Sequence, residues 1–230
     1  MNTSATSSLS QDVRPRMAAL VAGIALLVMA VIGGAANFGV IANLAVSGDR
    51  AATAGHLIAM SNLLRLAAAG LVIVAILDVI VAWGLYIVLR RVNPSLSLLA
   101  AWLRVAYAAA FAAAITGLFD ALRAAPISPA QAVFSLEGYD LAWQLALTIF
   151  GVHLGLVGYL VWKAEFAHWI FGALLIVSGA GYFADGLGTL LSPNYALGLS
   201  GFTFIGEVLF IVWLLVRGAR LPDASAEPGG

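Results

Sequence analysis

Four residues of this chain place ionisable groups where the surrounding sequence is almost wholly apolar: Asp78, Arg104, His153 and Glu207. Such side chains are costly in a long hydrophobic segment, and they face a bundle interior or a wet cavity, where they pair or do chemistry. Arg104 can pair with Asp78 or with Glu207, which leaves one carboxylate for His153. A carboxylate–histidine pair in such surroundings can relay protons or bind a small polar ligand. The plainer alternative is a satisfied polar network that fixes how helices pack. A second group of polar residues, Asn37, Arg65, Asp120, Tyr182 and Asp185, lies farther along its segments. It reads as a clasp, with carboxylates at the depth of Arg65, or as the rim of an outward-opening cavity.

Other chemistries are poorly provided for. The chain has no cysteine, which removes disulfides, thiolate nucleophiles, iron–sulfur clusters and thiolate zinc sites. Its three histidines are His56, His153 and His168, and their spacing places them at different depths, which speaks against a haem held by two of them. His153, Asp78 and Glu207 could in principle hold one ion, but no metal site is expected. Ser61, Ser178 and Ser200 have no evident base nearby in sequence, and no glycine-rich phosphate loop is present. No cofactor is expected. Basic and acidic residues balance at 11 each, so no cationic excess points to nucleic acid.

The elements that position these residues follow from composition. Of 230 residues, 63% are hydrophobic and 10% charged, and the mean hydropathy is +1.02. Soluble domains carry roughly 25% charged residues. A soluble core of this length could not hide so much apolar surface, so lipid must replace water around most of it. Spans need about 20 mostly apolar residues. The sequence predicts an all-α bundle of about six spans, near 17–46, 66–89, 96–122, 139–162, 169–191 and 199–216. Residues 50–65 form a helical lead-in to the second span. Residues 1–16 and 219–230 are polar and read as disordered tails. The uncharged run from Met17 to Val46 is too long for the apolar region of a cleaved signal peptide.

Basic residues set the orientation. Arg14 and Arg16, Arg90 and Arg91, Lys163, then Arg217 and Arg220 all fall on one side of such a bundle. The opposite side carries Asp49 with Arg50, Arg123 with Glu137 and Asp140, and the uncharged turn at Pro193 and Asn194. Positive-inside therefore predicts both termini in the cytoplasm of a multi-pass inner-membrane protein. Trp143, Trp162, Trp169 and Trp213 read as interfacial anchors. At a rise of about 1.5 Å per residue, Asp78, Arg104, His153 and Glu207 all fall about 15–18 Å from the cytoplasmic ends. That is near the middle of a hydrocarbon core about 30 Å thick. Asp185, Arg65, Asp120 and Asn37 fall near its outer boundary. Glycines crowd the fourth and fifth spans, where they let helix backbones approach closely.

These same residues carry a resemblance. Ser61-Asn62-Leu63-Leu64-Arg65, Asp78, Val92-Asn93, Arg104, His153-Leu154-Gly155 through Gly158-Tyr159, Gly181-Tyr182 with Asp185, and Phe204-Ile205-Gly206-Glu207 are the matching elements. Over about Ala18 to Gly218 the chain resembles the bacterial membrane family catalogued as domain of unknown function 4386. The resemblance implies the same helical membrane architecture and charged residues at these positions, and it names no reaction. The bilayer is the one partner expected, with a small molecule or a proton as ligand. The functional expectation is a protein that binds or moves that ligand between helices. The rivals are an intramembrane enzyme on a lipid-like substrate, with His153 as base, and a non-catalytic scaffold or sensor subunit.

Overall fold

The computed structural model describes residues 14–192 and 194–218. The expected tails, except residues 14–16, lie outside the described residues, as do Pro193 and Arg220. Every regular element among the described residues is a helix, and five helical segments are long and apolar enough to cross a membrane. They are Pro15–Asn43, Ser61–Leu89, Pro94–Ala124, Pro129–Lys163 and Trp169–Leu191. A sixth apolar segment, Ser200–Val216, is shorter.

Helix starts follow local chemistry. In α1 (Pro15–Gly39) proline takes the first turn, where its missing N–H costs nothing. The short α2 (Arg50–Ala59) begins where the Asp49 carboxylate accepts the Ala52 N–H at 2.9 Å. Next comes the long α3 (Ser61–Leu89). Asn93 accepts the Leu96 N–H at 3.0 Å ahead of Pro94 and starts α4 (Pro94–Ala114). The same device, Ser128 before Pro129, starts α6 (Pro129–Lys163) after the short α5 (Thr116–Ala124). His168 caps α7 (Trp169–Leu191). Helix α8 (Ser200–Thr203) and α9 (Ile205–Val216) complete the described chain.

Several boundaries differ from the sequence reading. The stretch 129–138 is helical and continuous with the expected fourth span, because Ser128 and Pro129 supply a cap and a first turn. At 35 residues α6 measures about 50 Å, longer than a hydrocarbon core. The expected third span is broken at Ile115, where the Thr116 hydroxyl donates to the Ala113 carbonyl at 2.7 Å. The expected sixth span is broken at Phe204.

Packing follows chain order. Helix α1 lies on α3, α3 on α4, α4 on α6 and α6 on α7, while α9 packs on both α7 and α1, closing the last helix against the first. The α6–α7 seam is built on glycine. A Cβ on Gly158 would lie 2.7 Å from the Gly172 carbonyl oxygen, and one on Gly151 would lie 2.6 Å from the Gly179 carbonyl oxygen. Backbones meet there directly. Outward faces are apolar: Leu66, Val31, Trp102 and Phe134 are exposed. Trp162 and Trp169, two of the expected interfacial anchors, pair with ring centroids 5.8 Å apart and are exposed. Trp213, expected among those anchors, is instead buried against Phe166, Phe171 and Phe210, because its place in α9 faces the α7 side of the bundle.

A candidate polar site enclosed by the bundle

Three of the four central residues form one buried cluster. Asp78 comes from α3, Arg104 from α4 and His153 from α6, and all three are at most 3% exposed. Arg104 Nη2 stands 2.7 Å from Asp78 Oδ1. The approach is an ion pair in distance, though its N–H directions leave both Asp78 oxygens without an aligned hydrogen bond. Arg104 Nη1 lies 3.2 Å from His153 Nε2, and His153 Nδ1 lies 2.8 Å from the Ala100 carbonyl. A guanidinium only donates, and a carbonyl only accepts. The hydrogen-bond partners therefore assign His153 as the neutral ring with its proton on Nδ1.

This choice answers the pairing question. Arg104 takes Asp78, and among the described residues no carboxylate pairs with His153, whose Nε2 faces the arginine instead. Both ring nitrogens of His153 are thus engaged, one by Arg104 and one by the Ala100 carbonyl. Among the described residues no three histidine or carboxylate side chains gather as a metal would need.

Glu207, the fourth residue, is held differently. It makes no ion pair within 4.0 Å among the described residues, its Oε1 is enclosed and lacks a hydrogen-bond partner, and its carboxyl interacts with the Tyr182 hydroxyl from α7. Its position depends on the break at Phe204. The Glu207 N–H turns to the Phe204 carbonyl at 2.9 Å, three residues back instead of four. That frees the Thr203 carbonyl, which accepts from the Ser178 hydroxyl of α7. Gly206 lets α9 come close enough: a Cβ there would meet Ser178 Oγ at 2.6 Å and the Leu174 carbonyl oxygen at 2.7 Å. Glu207 thus sits in the first turn of a half-helix, where the backbone dipole favours negative charge.

A small cavity of about 20 Å³ joins the two parts. Arg104, His153 and Glu207 line it, with Leu26 of α1, Leu85 of α3 and Leu175 of α7. Every long helix of the bundle, α9 included, reaches it.

Sequence reasoning missed the aromatic floor of this cluster. The guanidinium carbon of Arg104 lies 5.3 Å from the centroid of the Phe150 ring. That ring also packs on Tyr107, His153 and Tyr182, with centroids 4.7, 5.6 and 5.6 Å away. The signal was present: Phe150 precedes His153 by one helical turn and Tyr107 follows Arg104 by one, so each shares a face with a charged residue.

The outer group does not form the expected layer. Arg65 is exposed and makes no ion pair among the described residues, because it lies on an outward face of α3 beside Leu63 and Leu66. Asp120 is exposed and pairs at 3.6 Å with Arg123 on its own helix. The Asn37 amide donates to the Gly33 carbonyl one turn back at 2.9 Å, while its Oδ1 is enclosed without a partner. Tyr182 belongs with Glu207. Asp185 is a cap: it accepts the Tyr195 hydroxyl at 2.7 Å, the Leu199 N–H at 2.9 Å and the Ser200 N–H at 2.7 Å. Those bonds hold the start of α8, so the expected clasp from Arg65 to Asp185 is absent.

Fold and site together define an all-helical protein with five apolar helices of membrane length, consistent with a membrane protein, and an ionic cluster enclosed by its helices. The pattern of the family described as domain of unknown function 4386 matches residues 21–218, and the chain belongs to that family. A similar protein of Archaeoglobus fulgidus, described as an uncharacterized protein, is 34% identical over 159 residues, which cover 69% of this chain and 88% of the relative. No solved structure matches the chain.

Proposed function

We propose that this protein crosses a bacterial cytoplasmic membrane six times, with both termini in the cytoplasm, and binds or moves a proton or small solute at the enclosed polar site. The sixth crossing is the broken segment Ser200–Val216. Interrupted helices of this kind place half-helix ends at binding sites in membrane transport proteins. The orientation rests on the arginines and lysine at alternate ends of the helices. Fusions of green fluorescent protein and alkaline phosphatase to each terminus test it: fluorescence at both ends and phosphatase activity at neither is the expected result.

One observation supports the functional reading above the others. Glu207, which lines the cavity with Arg104 and His153, has a buried oxygen without a hydrogen-bond partner and makes no ion pair among the described residues. A carboxyl kept only for packing is expected to have a cation or a donor beside it, as Asp78 has Arg104 at 2.7 Å, since an unmet buried acceptor costs about 1–3 kcal/mol. The Asp78–Arg104–His153 cluster then serves as a fixed wall of the site, and Glu207 with Tyr182 as its responsive part. The test combines native mass spectrometry of gently extracted protein with proton movement in reconstituted vesicles. Glu207→Gln and Arg104→Ala should lose the ligand or the flux that the unaltered protein shows, while both variants still insert. Unchanged behaviour in both would leave the cluster a structural clasp.

A further inference from the structure

The dimensions of the cavity select between the two kinds of ligand. It measures about 20 Å³ and is lined by Leu26, Leu85, Arg104, His153, Leu175 and Glu207 among others. A cavity needs roughly 10–15 Å³ of such space to hold one water. An organic solute needs several times more. A buried water also needs about 2–4 polar partners. Two lining residues have atoms to offer: Arg104 Nε carries a buried proton without a partner, and Glu207 Oε1 is a buried acceptor without one. His153 offers none, because both its nitrogens are engaged. One donor and one acceptor on two lining residues of a one-water space match the needs of a single bridging water.

From these observations, and resting on the reading of the site given above, we infer that the cavity holds one water bridging Arg104 Nε and Glu207 Oε1, and that the site's cargo is a proton. In the loading step a hydronium O–H bond breaks and an O–H bond forms on Glu207 Oε1, leaving neutral water in the cavity. The Arg104 N–H donates to that water throughout and gives up no proton. The charge of Arg104 does not bar the step, because Asp78 at 2.7 Å balances it.

The ionisable groups that face Glu207 come from each neighbouring helix. They are Tyr182 from α7, Arg104 and Tyr107 from α4, Asp78 from α3 and His153 from α6. From α1 the cavity receives Leu26, which does not ionise.

Isotope-edited infrared spectroscopy on the full-length protein in lipid tests the inference. An O–H stretching band from an internal water should shift when the bulk is exchanged for water labelled with oxygen-18. Glu207→Gln should displace that band, and Leu175→Phe, which fills the cavity, should remove it. Leu26→Phe does the same from the other side if Leu175→Phe fails to fold. Absence of any label-sensitive band overturns the inference, even where Glu207→Gln still abolishes the activity of the site. So does an organic adduct, seen in native mass spectra and lost in Glu207→Gln, which would leave the solute form of the reading standing. Failure of the reading itself looks different: the labelled water band is present, yet neither flux nor ligand depends on Glu207, and the water is then structural, which also overturns the assigned cargo.

Discussion

Two carboxyl side chains, Asp78 and Glu207, serve the same arginine's neighbourhood from two kinds of helix. Asp78 stands midway along α3, a helix unbroken over 29 residues, and it is locked 2.7 Å from Arg104. Glu207 stands in the first turn after a break, has no arginine within ion-pair distance among the described residues, and has one buried oxygen without a hydrogen-bond partner. A static charge and a charge able to respond suit these two kinds of backbone. A regular helix fixes a side chain through an uninterrupted backbone ladder. A broken one lends its freed carbonyls to neighbours, here Thr203 to Ser178, so its charged residue depends on contacts that can be exchanged.

The largest effect expected from this contrast is on stability. Arg104→Ala strands Asp78 as an unpaired buried charge and should cost about 3–5 kcal/mol. Arg104→Met combined with Asp78→Asn should recover most of that loss, read as thermal unfolding in detergent. Glu207→Gln keeps shape and hydrogen-bonding capacity and should shift unfolding by less than about 1 kcal/mol. Equal losses for Arg104→Ala and Glu207→Gln would erase the distinction between the two carboxyls.

The seam that supports the broken helix gives the next effect. Gly158→Ala drives a Cβ into the Gly172 carbonyl oxygen and the Ile176 backbone nitrogen, and should cost about 1–3 kcal/mol. Gly155→Ala on the same helix meets nothing within 4 Å and should be neutral or slightly stabilising. Comparing the two variants separates backbone contact from helix propensity.

Asp185→Ala removes the acceptor that organises the start of α8. It should cost about 1–3 kcal/mol locally, seen as faster hydrogen exchange at Leu199 and Ser200 with the exchange of α3 unchanged. The smallest effect concerns pH. The hydrogen bond to Asp185 pushes the Tyr195 phenol above its ordinary value. A group whose acidity falls on folding contributes fully below its unfolded value, about 10, and loses that contribution as pH rises through the folded one. Protection at Leu199 should therefore hold to about pH 10 and decline above it, and Tyr195→Phe should abolish the decline.

Most of the helical architecture was legible because apolar runs of span length admit few structures other than helices in lipid. Depth counting also brought Asp78, Arg104 and His153 to one level, since residue number converts directly to height along a regular helix. The same counting failed for the outer group because height says nothing about azimuth. Arg65 reaches a suitable height on the wrong face, and Asp185 spends its oxygens on backbone N–H groups that no sequence pattern announces. The break at Phe204 was equally hidden, as it rests on Ser178 and Gly206 meeting across two helices. The start of α6 could have been read, because Ser128-Pro129 repeats the Asn93-Pro94 signal at the start of α4.

On the proposed reading, Glu207 exchanges its proton while Asp78 stays fixed as the partner of Arg104. Infrared difference spectra of the carboxyl stretch, recorded in lipid as the bulk pH is stepped, test it most directly. The expected result is a carboxyl band that changes with pH, disappears in Glu207→Gln and persists in Asp78→Asn. A band lost in Asp78→Asn but kept in Glu207→Gln, or no pH-dependent carboxyl band at all, would contradict it.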